Sequence, residues 1–140
     1  MNQNIVVNGL SVLLLRILLS GIFINVGISH LLYTDKVSNR IQNAPNAAFA
    51  QLFGNPELLG ILSGSVLLIA GISFLLGVFI RWSALVLFLV LIPITIIIQV
   101  GNGWLHGPFW KNVALFGGLL FFIINNPKEY TLYNPSSLTS

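Results

Sequence analysis

The side chains that could do chemistry in this 140-residue chain are few and far apart in sequence. Imidazole and carboxylate groups can carry protons near neutral pH when they are partly buried, and amide and ammonium groups can hydrogen-bond to a polar headgroup. Beside aromatic side chains, such groups form pockets for molecules with a polar head and an apolar tail. The candidate ligand-binding residues are His30, Glu57, Gln99, Asn102, His106, Trp110 and Lys111.

Other chemistry is compatible with the same residue types. His30, His106 and Glu57 include the ligand types of a metal site, and a haem could bind between the two histidines. However, these residues match no metal-binding spacing, and we expect His106 to lie in a loop. They could also be interfacial side chains in contact with water and lipid headgroups. We therefore predict no metal site and no intrinsic cofactor, leave the catalytic residues unassigned, and retain a quinone as the candidate bound molecule.

Composition excludes further classes of function. The sequence contains no cysteine, so this chain alone forms no disulfide, thiolate nucleophile or cysteine-ligated cluster. The formal net charge of +3 comes from six basic and three acidic side chains, and no two basic residues are adjacent in the chain. Because they form no basic patch, we predict no nucleic-acid partner.

Four apolar segments must position the candidate residues. Hydrophobic residues make up 56% of the chain and charged residues only 6%, whereas about a quarter of the residues in soluble domains are charged. The uncharged run between Glu57 and Arg81 would form a helix of roughly 35 Å, enough to cross a hydrocarbon layer of about 30 Å. We predict an all-α polytopic membrane protein of one domain, an antiparallel bundle of four transmembrane helices over residues 10–32, 58–80, 82–100 and 109–124.

The connecting segments carry fewer signals. The loop 33–57 contains a predicted short interfacial helix around Phe49, and disorder of residues 34–43 is equally compatible with the sequence. Asn55 and Pro56 are a strong start signal for the second span. Pro93 should kink the third span, and the polar tail 125–140 is expected to be loose.

Following the chain through four crossings separates two sets of polar residues. The candidate ligand-binding residues come out at the face opposite the termini, whereas Arg16 and Arg81 lie toward the terminal side as structural charges. At 100° per residue, Arg16, Phe23 and His30 share one face of the first span, which we expect to turn inward. Glycines that permit close helix packing are predicted at Gly60, Gly64, Gly71, Gly117 and Gly118.

Three stretches resemble the DoxX family of small four-helix bacterial membrane proteins. They are residues 13–30 (LLLRILLSGIFINVGISH), residues 57–87 and residues 109–123 (FWKNVALFGGLLFFI), which leave out the loop 33–56 and both tails. On this resemblance Arg16, Gly27, Glu57 and Arg81 correspond to the family's arginine, glycine, acid and following base. The family often has lysine where this chain has His30.

The resemblance implies a location and a range of partners. It implies a multi-pass protein of the bacterial inner membrane with cytoplasmic termini, surrounded by membrane lipids. The family is similar in name and membership to a subunit of archaeal thiosulfate:quinone oxidoreductase, and many members lie beside redox enzymes.

Two functional hypotheses follow. In the first, the protein is a membrane subunit of a redox-associated complex that binds a quinone or another small lipophilic molecule at the face opposite the termini. In the second, it is a non-catalytic anchor or scaffold that holds a soluble oxidoreductase or oligomerises through its glycine faces. Transport is a further alternative, but four short helices would have to form a homo-oligomer to make a pathway.

Overall fold

The computed structural model describes residues 4–135, which form six α-helices and one π-helical segment. In chain order these are α1 (Gly9–Leu32), α2 (Thr34–Gln42), α3 (Ala47–Gln51), α4 (Pro56–Leu76), α5 (Ile80–Ile94), the π-helical segment (Thr95–Gln99) and α6 (Gly107–Asn125). Four helices are long and apolar enough to span a membrane: α1, α4, α5 with the π-helical segment, and α6. The prediction of an all-α polytopic membrane protein is confirmed.

The turn between the second and third spans lies earlier in the chain than predicted, at residues 77–79. The Asn55 side chain accepts a hydrogen bond from the Glu57 N–H (2.9 Å), so α4 begins at the predicted signal. It ends at Leu76, four residues before the predicted boundary, because Gly77 adopts a left-handed conformation (φ +76°). Arg81 consequently lies in the first turn of α5, where its Nε donates to the Ile123 carbonyl near the end of α6 (2.9 Å).

Glycines bring α1 and α4 into backbone contact. A Cβ atom on Gly27 would lie 2.8 Å from the Leu68 nitrogen and 2.9 Å from the Gly64 carbonyl oxygen. A Cβ on Gly64 would lie 2.6 Å from the His30 Cβ, and one on Gly71 would lie 3.0 Å from Ile24. Side chains larger than hydrogen therefore cannot occupy this contact without moving the helices apart.

The other predicted packing glycines have different surroundings. Gly60 faces Val37 of α2, and Gly118 faces Leu19 of α1. Gly117 is exposed, with no described atom within 4 Å of an added Cβ. Only Gly118 of the adjacent pair therefore lies in a helix contact within residues 4–135.

The loop between α1 and α4 contains more helical structure than the one short helix that was predicted. Besides α3, residues Thr34–Gln42 form α2, where disorder had been one expectation. Val37 and Ile41, one turn apart on α2, are buried in a cluster with Ala50 and Ile97. The loop thus folds over the π-helical segment.

The described part of the C-terminal tail is held to the α4–α5 turn by hydrogen bonds, which corrects the expectation of a loose tail. The Leu132 and Tyr133 N–H groups donate to the carbonyls of Leu76 and Gly77, at 3.2 and 3.3 Å. Arg16, only 2% exposed, donates from Nη2 to the Tyr130 carbonyl. Its Nε and Nη1 have no hydrogen-bond partner among the described residues. The remainder of the predicted loose tail, 136–140, lies outside the residues that the structure describes.

Candidate functional site

The site is built around the π-helical segment that follows Pro93 in the third span. Here the backbone hydrogen bonds join residues that are five positions apart instead of four, as between the Val100 N–H and the Thr95 carbonyl (3.0 Å). The first and last residues of the segment, Thr95 and Gln99, are both buried. π-Helical turns inside α-helices occur frequently at functional sites.

The Asn46 side chain holds the loop on this segment. Its Nδ2 donates to the carbonyls of Ile96 and Val100, both at 2.8 Å. These carbonyls lie at a helix end, where backbone acceptors lack partners within the helix. The two bonds therefore tie the α2–α3 loop to the wall of the site.

We expect Asn46→Ala to lower the free energy of unfolding by about 1–3 kcal/mol, because it removes two hydrogen bonds to helix-end carbonyls. Thermal unfolding in detergent measures the change. Asn43→Ala is the matched control, since among the described residues the Asn43 side chain bonds only to the Asn39 carbonyl of the helix that it caps. Equal losses for both variants would contradict the role given to Asn46.

Two candidate residues from separate elements meet at the end of the third span. The His106 Nε2 lies 2.8 Å from the Gln99 Oε1. An amide oxygen can only accept, so this geometry assigns the imidazole hydrogen to Nε2. Gln99 is only 4% exposed, and its amide nitrogen has no hydrogen-bond partner in the described part of the chain. Asn102 lies beside this pair, with its amide nitrogen donating to the Ile98 carbonyl (2.7 Å).

His30 lies across the bundle on α1, against α4. Its Nδ1 is 3.1 Å from the Ser63 Oγ, and this hydroxyl in turn donates to the Gly60 carbonyl (3.1 Å). A hydroxyl has only one proton to donate, so the His30 Nδ1 is the donor toward Ser63 in the tautomer in which the Ser63 hydroxyl bonds to Gly60. In that tautomer Nε2 can accept a hydrogen bond from another group.

His30 lines two small cavities inside the bundle, both of which are partly open to the surface. The first, which we call the apolar cavity, has a volume of about 100 Å³, and His30 and Ser63 are its polar lining residues. The second, the polar cavity, has a volume of about 70 Å³, and its polar lining residues are His30, Arg40, Gln99, Lys111 and Asn112. The two cavities share three lining residues, His30, Ile94 and Ile98.

A wider opening lies beyond the polar cavity. This vestibule has a volume of about 450 Å³ and is lined by α2, the end of the third span and the start of α6. It shares Arg40, Ile98 and Gln99 with the polar cavity. The polar cavity therefore shares lining residues with both the vestibule and the apolar cavity, and lies between them.

Two other candidate residues lie apart from these cavities. Glu57 is exposed at the start of α4, lines none of the three, and its carboxylate makes no hydrogen bond or ion pair within residues 4–135. Trp110 is exposed, donates from Nε1 to the Trp104 carbonyl (2.8 Å) and contacts the Trp104 ring edge-on at 5.0 Å. No group of three His, Asp or Glu side chains that could hold a metal ion is found over the described range.

Several residues at the site were missed from the sequence. Asn112 is 2% exposed and donates to the Thr95 hydroxyl (2.9 Å) between α6 and the third span. Helical spacing would have found it, because it shares a buried face with Leu115 and Leu119. Arg40 carried no such signal, since its place depends on how α2 folds back over the bundle.

A model of the DoxX family matches residues 11–100, which is more than half of the chain. The chain belongs to the DoxX family. The match in this DoxX protein includes the loop 33–56, which the three resembling stretches left out, and stops before α6. The family region therefore carries His30, Arg40 and Gln99, whereas His106, Lys111 and Asn112 lie after it. No curated protein and no solved structure matches the chain.

Proposed function

We propose that this DoxX protein binds a small lipophilic molecule with a polar headgroup, for which a quinone is the candidate, within the bundle. In this role it would be the membrane subunit of a redox-associated complex in the bacterial inner membrane, with cytoplasmic termini. The observation that carries the proposal is the position of His30 between an apolar and a polar cavity. Such a pair of environments suits a molecule that is apolar at one end and polar at the other.

The polar groups fit the needs of a quinone headgroup. Quinone carbonyls accept hydrogen bonds, and the Gln99 amide nitrogen, Arg40 and Lys111 are donors that line the polar cavity. The hydroxyls of the reduced form donate, and the free Nε2 of His30 can accept. A bound quinone would supply electron and proton transfer, while these side chains would bind and orient its ring.

The size of the cavities sets a condition on binding. A cavity of about 150 Å³ holds a benzene molecule, and each internal cavity here is smaller than that. Joined, the two would exceed this volume. We therefore propose that binding moves the Ile94 and Ile98 side chains, which lie between them.

The glycine contacts within the chain weaken the scaffold hypothesis. Gly60 and Gly64 were its proposed surface for oligomer assembly, but they contact α2 and α1 within this chain. A partner subunit of a redox complex, or a homo-oligomer, would have to use other faces of the bundle.

We expect His30→Leu to weaken binding of a short-chain quinone at least tenfold, because it removes the acceptor between the cavities while leaving an apolar side chain. Binding to the purified protein can be measured by the shift in thermal stability and by quinone retained on the protein. Asn25→Leu is the control, since Asn25 is exposed on the opposite side of the same helix.

Two results would oppose the proposal. One is a wild-type protein that carries no quinone after gentle purification and whose thermal stability does not respond to added quinone. The other is an equal loss of binding in His30→Leu and Asn25→Leu. The first result would favour a protein that anchors a partner without binding a small molecule.

A further inference from the structure

We infer that the vestibule is a binding site for the phosphate headgroup of an acidic membrane lipid. Its lining includes the cations Lys36 and Arg40 together with His106, and no lining residue is acidic. Neither cation forms an ion pair with a described residue. The Lys36 Nζ instead lies 4.8 Å from the centre of the Tyr33 ring. Positive charge is therefore gathered in a concave surface that supplies no carboxylate to balance it.

The start of α6 adds to this positive potential. The N-terminus of a helix carries a partial positive charge that acidic or capping side chains normally offset. Over the described range, α6 has no acidic residue in its first turn and no side-chain cap at His106, and it carries Lys111 near its start. The helix end and the side-chain charges therefore attract an anion to the same place.

A buried donor lies at the inner wall of the vestibule. Gln99 is nine-tenths buried, lines the vestibule, and has an amide nitrogen without a hydrogen-bond partner among residues 4–135. The fully buried unpaired polar atoms of the described residues belong to Arg16, so the Gln99 amide nitrogen can be reached from the vestibule. A phosphate oxygen in the vestibule would supply the missing acceptor.

The surroundings favour a lipid headgroup over a free anion. The loop that leads into α6 exposes large apolar side chains, with Trp104 74% and Leu105 94% exposed. Tryptophan is enriched at the depth of the lipid headgroups, and cationic side chains there bind acidic lipids. At about 450 Å³ the vestibule can accommodate more than a single phosphate group. Arg40 and Gln99 line both this site and the polar cavity, but the inference rests on the charges of the vestibule and requires no quinone in the inner cavities.

The experiment compares lipid binding by the full-length protein and by charge-neutralised variants. Native mass spectrometry in a neutral detergent measures retention of phosphatidylglycerol and of phosphatidylcholine, and inorganic phosphate is added in a separate competition. We expect preferential retention of the acidic lipid. Arg40→Gln and Lys36→Gln should each weaken retention of the acidic lipid about fivefold. A fivefold change corresponds to about 1 kcal/mol, the binding free energy that one cation contributes near an acidic membrane surface. Both side chains are exposed, so the variants should fold.

The control is Lys128→Gln, which makes the same charge change after α6, at the opposite end of the bundle. It should leave lipid retention unchanged. Equal retention of the two lipids, or an equal loss in all three variants, would overturn the inference. Complete displacement of the lipid by millimolar inorganic phosphate would also overturn it and identify a site for a free anion.

Discussion

Gly27→Ala should lower the free energy of unfolding by about 2–4 kcal/mol, although alanine is the better helix former. The added Cβ would lie 2.8 Å from the Leu68 nitrogen and 2.9 Å from the Gly64 carbonyl oxygen. Both atoms belong to the backbone of α4, so no side-chain rotation relieves the overlap. Unfolding in detergent, followed by circular dichroism, measures the loss.

Gly117→Ala is the matched control for this result. It makes the same change in the interior of α6, where no described atom lies within 4 Å of the new Cβ. There the helix propensity should dominate and give a gain of up to about 1 kcal/mol. Similar effects at the two positions would mean that the α1–α4 contact is not as close as the structure describes.

The same contact also determines where His30 lies. A Cβ on Gly64 would be 2.6 Å from the Cβ of His30. Any separation of α1 from α4 therefore displaces the imidazole from Ser63 and from both internal cavities. In this region, packing and the candidate binding site depend on the same glycines.

Deletion of residues 127–140 should destabilise the protein by about 3–5 kcal/mol, a second large effect. It removes the Tyr130 carbonyl, to which the buried Arg16 side chain donates. The positive charge would then be left buried without that acceptor. Chemical unfolding of the truncated and full-length proteins measures the difference.

The same deletion in an Arg16→Met background separates the charge from the other tail contacts. Methionine fills a similar volume without a charge to compensate, so the truncation should cost much less there. The remaining loss would come from the hydrogen bonds of Leu132 and Tyr133 to the α4–α5 turn. If truncation costs the same in both backgrounds, Arg16 does not depend on the tail.

The features that could be predicted from sequence are those with strong local causes. Hydropathy identified the four spans, and the Asn55 cap with Pro56 identified the start of α4. The inward face of α1 followed from helical spacing, and Arg16 and Phe23 are buried as expected. Each of these depends on neighbouring residues or on one helix period.

The features that were missed depend on contacts between distant segments. α2 is mostly polar, so its two buried residues gave too weak a pattern to predict a helix. The tail is held by hydrogen bonds to carbonyls of the α4–α5 turn, and no local sequence motif predicts these bonds. Arg40 reaches the polar cavity through the fold of α2, whereas Glu57 marks the start of a helix and lies apart from the cavities.

The close glycine contact has a consequence for the dynamics of the bundle. Because α1 and α4 touch through their backbones, they should move as one rigid unit. Ile94 and Ile98, which separate the two internal cavities, belong instead to α5 and the π-helical segment. The α1–α4 pair would then be the stationary wall of both cavities, and a change in their shape would come from movement of the third span, to which Asn46 bonds.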